Sequence, residues 1–405
     1  MLSCVLFLVS SALCAQQNQV KIDSTQTQTL EEVLVQSVRV KPNAPITHSN
    51  VTKAQLEPRN LGQDLPILLN YLPSVVTTSD AGAGIGYTGI RVRGVSPLST
   101  NITINGIPYT DAESLGTFWV NLPDFTSSVE SLQLQRGVGT STNGSGAFGA
   151  SINILTDATS KKPSAEISNS FGSYNTRRHT VKFSTGKIND VFEVSGRLSQ
   201  IKSDGYVDRA FSDLKSYFLQ GTYNKNGTLI KALVFGGHEK TYQAWEGLTQ
   251  DQIDENRRQN PYTYENEIDN YKQDHYQLHW NQKFNQKWST NLGLNYTFGR
   301  GYFEQYRSDD AVATYGGIVE ATGVDSYGTD VTDLIRRRWL DNEYYVLNAT
   351  ANYREAKLDL IFGGSYSTYD GDHFGEVIWA RQFSEYASIR DQYYFGNGKK
   401  TDFSV

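Results

Sequence analysis

Between residues 164 and 370 the chain alternates. In NLGLNYTFG, Leu292, Leu294, Tyr296 and Phe298 fall on one side of an extended backbone, and Asn291, Gly293, Asn295 and Thr297 on the other, since successive side chains of a strand point to opposite faces. KLDLIFGGSYSTY sets Leu358, Leu360, Phe362, Gly364 and Tyr366 against Asp359, Ile361, Gly363, Ser365 and Ser367. HYQLHWNQKF and DVFEVSGRLS repeat the pattern. Very short polar turns join these strands: KIND (187–190), NKNG (224–227), NQKW (285–288) and REAK (354–357). Their other ends run into long polar loops, about 239–271 and 302–343. Short turns at one end and long loops at the other are the pattern of an outer-membrane β-barrel. A soluble β-sandwich also alternates, but its apolar face is a crowded core of Val, Ile and Leu. Here that face is sparse and aromatic, as lipid contact permits, and the other is polar, as a wet lumen permits.

About nine strands follow Ser164 before another loop near Gly371, and the final TDFSV reads as the start of one more. An odd number of strands leaves a bare edge in lipid, which hydrocarbon does not tolerate. The chain is therefore expected to be the N-terminal part of a longer protein.

Composition agrees with a β protein rich in turns and amphipathic aromatics: 25 Tyr and 35 Gly, with a single Met. A net charge of −6 over 405 residues does not call for a nucleic-acid partner. Both cysteines, Cys4 and Cys14, lie in LSCVLFLVSSALCA, an apolar run followed by polar QQNQ. This reads as an export signal removed after Ala15, although it lacks a basic start and the true initiator is allowed to lie upstream. The mature chain then has no thiol for catalysis or disulfides. No later run approaches the ~20 apolar residues of a membrane helix.

Residues 16–44 are polar except for LEEVLVQSVRV, in which Val33, Leu34 and Val35 form a β-prone run too short to build a core. Such a strand is disordered or awaits a partner's sheet edge. Residues 45–157 mix helix and strand. DLPILLNYLP starts a helix at Asp64 as N-cap, with Leu65, Leu68, Leu69 and Leu72 on one face until Pro73 ends it. The strands GIRVRG, NITINGIPY with its Asn-Gly hairpin signal, VESLQLQRG and GASINILT follow. GIGYTGIRVRG contains the spacing G-x-G-x-x-G, but the residues after it alternate as a strand. A phosphate cradle needs a helix there.

An export signal, an extended segment, a small α+β domain and a barrel in series resemble the TonB-dependent outer-membrane receptors. LEEVLVQSVRV (30–40) is similar to the TonB box. IRVRGVSPLSTNITINGIPYTD resembles a segment of the family's plug, and VESLQLQRGVGTSTNGSGAFGASINILT resembles its most specific stretch. Gln36 and Ser37 depart from the usual box ending, and Val138 replaces the usual Pro. The resemblance implies a mainly β fold, with the plug at 45–157 and residues 163–405 forming the first part of a transmembrane barrel that has about 22 strands in such transporters. It implies a box of Glu31, Glu32, Val33, Leu34, Val35, Gln36 and Ser37 for a TonB-type energy-transducing protein of the periplasm. It further implies that Arg93 and Arg136 pair with barrel-wall carboxylates to hold the plug, partners that need not lie before residue 405.

The expected role is active import across the outer membrane of a Gram-negative bacterium. The expected cargo is an iron–siderophore complex, a transported Fe(III) chelate, with no permanently bound cofactor. Cobalamin, heme or a glycan are alternatives of the same architecture; a non-transporting adhesin or signalling barrel is a different class. Cargo contacts are expected from Tyr87, Tyr109, Phe118 and Trp119 of the plug and from Tyr242, Trp245, Tyr302, Phe303 and Tyr306 of the barrel. The glycines at 82–89 form a plug loop that either contacts cargo or merely turns the chain. His275 and His279 sit four apart in a strand pattern and read as lumen-facing polar positions rather than zinc ligands. Asp370, Asp372, His373 and Glu376 read as a solvated loop tip rather than a calcium site. GASIN around Ser151 lacks the last glycine of a nucleophile elbow. Nothing in the sequence argues for an enzyme.

Overall fold

A computed structural model describes residues 39–40, 45–138, 148–356 and 358–405. The export signal and the box residues Glu31 to Ser37 lie outside them.

The first sheet has five strands in the order β1 (His48–Thr52), β6 (Val129–Arg136), β7 (Ala150–Thr156), β4 (Thr100–Ile104) and β5 (Ile107–Pro108). β7 runs parallel to β4 and antiparallel to β6. Asn105 and Gly106 both adopt positive φ, 53° and 82°, and close the β4–β5 hairpin that Asn-Gly announces. A separate pair, β2 (Val75–Ser79) and β3 (Thr88–Val92), carries GIRVRG. Two short helices, α1 (Lys53–Leu56) and α2 (Leu65–Leu68), pack beside them. The helix foreseen from Asp64 to Leu72 stops after one turn. All four leucines are nonetheless buried, so the apolar face survives without the helix. Val92, Ile102, Ile104, Leu132, Leu134, Ile152 and Ile154 are buried in the same core.

The second sheet is an antiparallel meander of ten long strands: β8 (Ser164–Gly172), β9 (Thr176–Ser184), β10 (Phe192–Ser203), β11 (Ser212–Lys225), β12 (Thr228–Tyr242), β13 (Ile268–Lys283), β14 (Trp288–Ala311), β16 (Asp330–Glu355), β17 (Leu358–Ala380) and β18 (Gln392–Ser404). A two-residue strand, β15 (Gly323–Val324), pairs with β16. This sheet forms the wall of a partial barrel, with nine strands up to Ala380 and a further one, as the alternation suggested, although the tenth begins at Gln392, ahead of TDFS. The tenth includes TDFS. Tight turns fall where expected; at Asn226-Gly227 both residues take positive φ, 51° and 79°.

The long loops are shorter than their sequences imply. The loop after β12 spans 243–267 and includes α3 (Gln250–Glu255). Most of 302–343 is strand, because β14 and β16 run for 24 and 26 residues. At ~3.3 Å per residue such strands reach far past a hydrocarbon layer of ~30 Å. Their outer parts lie beyond lipid, where Leu334, Val377 and Ala380 are buried against Tyr315 and Val319 of the outer connection, and they lose the alternation that marks a strand in lipid. For the same reason Asp370, Asp372, His373 and Glu376 lie within β17 and not at a loop tip.

One face of the wall carries aligned apolar side chains. Leu278, Leu294 and Leu347 sit side by side on β13, β14 and β16, with Tyr276, Tyr296 and Tyr345 one step along. The tyrosine rings stack at 5.8 and 4.8 Å. This matches an aromatic girdle facing lipid. The polar face is not open water as expected; the first domain covers it. Gln220 Nε2 donates to the Asp157 carbonyl (3.1 Å), Lys231 Nζ donates to Thr156 Oγ1 (2.8 Å), and Asn348 Nδ2 donates to the Gly106 carbonyl (2.6 Å). His279 is fully buried there, and His275 stacks on Phe235 at 4.7 Å. The chain thus places a compact plug against the polar side of its own curved sheet.

Candidate functional site

Three features define how plug and wall meet: an ion cluster, a glycine loop and a cavity.

The ion cluster centres on Asp124, whose side chain has no solvent exposure. Its carboxylate faces Arg178 Nη1 at 3.1 Å and Arg197 Nη1 at 3.4 Å, both from the wall. Wall hydroxyls complete it: Thr180 Oγ1 donates at 2.6 Å and Ser199 Oγ at 2.7 Å. Burial alone would raise the Asp124 pKa. Arg197 and Arg178 reverse that and hold it below the usual carboxylate value. Asp157, at the end of the plug, similarly takes Lys53 Nζ (2.9 Å) and wall Lys182 Nζ (2.6 Å). The sequence pointed to plug arginines against wall carboxylates that need not lie before residue 405; among the described residues the plug–wall ion pairs join plug carboxylates to wall cations. Among the described residues Arg93 and Arg136 make no ion pair. Arg136 is satisfied inside the plug, donating to the Pro73 carbonyl and Ser49 Oγ, each at 3.0 Å. Arg93 is exposed on a left-handed backbone, φ 56°.

The glycine loop joins β2 to β3 and wedges into the wall. A Cβ on Gly82 (φ 73°) would come within 2.9 Å of Tyr206 Cβ, so both its conformation and its clearance require glycine. The Tyr206 amide donates to the Ala81 carbonyl (2.8 Å). Ile85 is buried with Val120, Ile201 and Leu214. The loop is therefore a plug–wall contact, and its end delivers Tyr87 to the cavity. Asp64 underlies it: Thr88 Oγ1 donates to Asp64 Oδ2 (2.9 Å), and burial pushes the carboxyl up to about 8. Asp64 occupies the N-cap position of α2, but its side chain does not cap the helix.

The cavity, about 530 Å³, lies between plug loops and wall at the end with the longer connections. Of the expected contacts, Tyr87, Tyr109, Phe118, Trp245, Tyr302 and Phe303 line it together. Their rings touch: Tyr87 and Trp245 at 5.3 Å, Trp245 and Phe303 at 5.6 Å, both edge-on. Three expected residues are elsewhere. Trp119 is buried in the plug core, 3% exposed. Tyr242 is buried with its hydroxyl donating to the Tyr264 carbonyl at 2.7 Å. Tyr306 pairs with the Tyr264 ring at 6.1 Å. Residue type alone does not say which aromatics reach the cavity, and neither does strand parity, since the adjacent Tyr302 and Phe303 of β14 both line it. The sequence reading missed Asp80, Asn121, Glu239, Asp269, Tyr271, Arg338, Trp339 and Tyr394, which also line the cavity. Glu239 lies three residues before Tyr242 in the sequence, and Trp339 lies in 302–343, where the sequence predicts a loop.

The geometry suits a ligand with apolar or aromatic surface and a few polar contacts. Among the described residues there is no cluster of potential metal ligands.

Residues 40–151 match the family model "TonB-dependent Receptor Plug Domain". Over 233 residues the chain is 28% identical to the probable TonB-dependent siderophore receptor PirA of Acinetobacter baumannii, covering 54% of this chain and 28% of that protein. It is 29% identical over 189 residues to the vitamin B12 transporter BtuB of Vibrio vulnificus, covering 46% of this chain and 30% of that protein. Among solved structures it resembles the ferric-catecholate import receptor Fiu of E. coli K12 in its open form, with a TM-score of 0.64 and 13% identity. That likeness covers 89% of this chain and 56% of the Fiu chain, so this chain spans about half the length of that receptor.

Proposed function

The chain belongs to the TonB-dependent receptor family, and from that premise we propose that it is an outer-membrane importer of an iron–siderophore complex, powered by a TonB-type periplasmic partner. The family comprises receptors and transporters rather than enzymes. The observation that carries the reading is the aromatic cavity enclosed jointly by plug loops and wall strands at the end with the longer connections. A ligand seated there rests on the plug and advances only if the plug yields. In this reading a plug packed within the barrel blocks passive flow, and the work comes from outside the membrane.

The expected handle is the β-prone run Glu31 to Ser37, to which the partner adds a strand through main-chain hydrogen bonds. Just beyond it, the chain at Arg39 and Val40 is tied to the plug sheet. Arg39 Nη2 donates to the carbonyls of Ser131 (2.8 Å) and Asn153 (2.9 Å), and the Val40 amide donates to Gln133 Oε1 (3.0 Å). Tension on the run is therefore delivered to β6 and β7, next to the wall contacts of Asp157.

The vitamin B12 transporters among the relatives favour cobalamin as the second reading. Growth of a deletion strain on defined iron–siderophore, heme, cobalamin and glycan sources separates these. Loss of growth confined to iron–siderophore sources is expected, and loss confined to cobalamin overturns the iron reading. Val33→Pro removes a backbone donor from the run and should abolish uptake while leaving surface binding intact. Unchanged uptake would show that the run is not the handle, the outcome expected of an adhesin.

A further inference from the structure

We propose that the part of the cargo entering the cavity carries a positive charge, an ammonium or guanidinium group on an otherwise apolar frame. This deepens the import reading above and rests on it. The lining is unbalanced. Glu239 and Asp269 are diagonal neighbours on the plug-facing side of β12 and β13, where Asp269 pairs in register with Thr241. They are 1% and 8% exposed. Among the described residues neither has an ion-pair partner. Asp269 accepts a hydrogen bond from the Tyr87 hydroxyl, and Glu239 accepts one from Thr241 Oγ1 at 3.4 Å. Asp80 adds a third carboxylate at the mouth, likewise without an ion pair among the described residues.

The cations in the lining do not serve these groups. Arg338 donates to the Tyr394 hydroxyl (3.3 Å) and lies over the Phe303 ring at 5.4 Å. His373 is committed to Glu113 at 2.9 Å. Two adjacent buried carboxylates without a cation are costly, and a cation arriving through the cavity relieves them.

A second observation points the same way. Asn121 lines the cavity, is 7% exposed, and its Oδ1 is a buried acceptor without a hydrogen-bond partner. It is placed to receive an N–H from the ligand. The faces of Tyr87 and Trp245 beside it supply the ring quadrupoles that attract a desolvated cation. The Trp245 indole N–H is also buried without a partner, and suits a carbonyl or hydroxyl oxygen elsewhere on the same ligand. A polyanionic chelate would instead bring further negative charge against Glu239 and Asp269.

The test uses the full chain purified in detergent, with three probes of one shape: phenethylammonium, its neutral N-acetyl derivative and phenylacetate. Their binding is followed by tryptophan fluorescence and calorimetry. The ammonium probe is expected to bind at least about tenfold more tightly than the other two. Glu239→Gln combined with Asp269→Asn should erase that preference. Asp80→Asn, at the exposed mouth where folding is not at risk, should weaken the ammonium probe alone by about threefold. Equal binding of the three probes, preference for the anion, or binding of none overturns the inference. None of those outcomes bears on the growth test above, which judges the import reading by itself.

Discussion

The two sheets of this molecule make opposite use of their side chains. In the plug, β4 and β7 are buried at every position. Their apolar residues meet one another, and water is excluded from both faces. In the wall, the lipid-level part of β14 alternates strictly, with Asn291, Gly293, Asn295 and Thr297 buried and Leu292, Leu294, Tyr296 and Phe298 more exposed. The plug is therefore stabilised as a soluble core is, by apolar burial. The wall turns its apolar side chains outward and spends its polar ones on the plug. Each sheet supplies what the other lacks, which makes the polar interface between them the critical layer.

The most damaging way to break that layer is Asp124→Ala. It strands the buried guanidiniums of Arg178 and Arg197 and should cost the plug–wall assembly about 3–5 kcal/mol, read as plug unfolding in urea at concentrations the wall still resists. Next comes the contrast within apolar residues. Leu134→Ala, in the fully buried plug core, should cost about 3 kcal/mol. Leu294→Ala, 42% exposed on the outer face, should cost under about 1 kcal/mol in lipid. Equal losses would mean that the outer face is a packed core after all. Leu347→Arg tests the same face from the opposite direction, and about 2 kcal/mol of wall stability should be lost on reconstitution.

A further effect is pH-dependent and accumulates gradually over several pH units. Burial raises Asp64 to about 8, so the folded plug holds a proton that the unfolded chain releases at lower pH. Asp64 therefore makes plug stability fall as pH rises from about 4 to about 8, by at most about 1.4 kcal/mol per pH unit, with no further loss above. Asp64→Asn should flatten that slope in urea titrations at several pH values.

How much of this was legible depends on the distance over which the signal acts. Alternation is local, so the strands in lipid and their tight turns could be read directly, as could the Asn105-Gly106 hairpin. The outer reaches of β14, β16 and β17 could not, because a strand outside lipid has no need to alternate, and residues such as Leu334 and Val377 are buried there by contacts with the distant Tyr315 and Val319. The one-turn length of α2 escaped too, since Leu65, Leu68, Leu69 and Leu72 are buried by tertiary contacts whether or not helix continues between them. Polarity at the interface is non-local: nothing near Asp124 announces Arg178 and Arg197, which lie 54 and 73 residues further on. The cavity was half visible. Its aromatics stood out by type, whereas Glu239 and Asp269 fell in a stretch that reads as a long polar loop, where a carboxylate needs no explanation.

The central claim is that one face of the wall meets lipid while the other is covered by the plug. Spin labels placed one at a time from Leu292 to Thr297 in the reconstituted protein test it most directly. The account predicts that oxygen accessibility alternates with period two, high at Leu294 and Tyr296 and low at Gly293 and Asn295. It also predicts that the label at Asn295 becomes mobile and water-accessible once residues 45–157 are deleted. Uniform accessibility along the six positions, or an Asn295 label indifferent to loss of the plug, would contradict it.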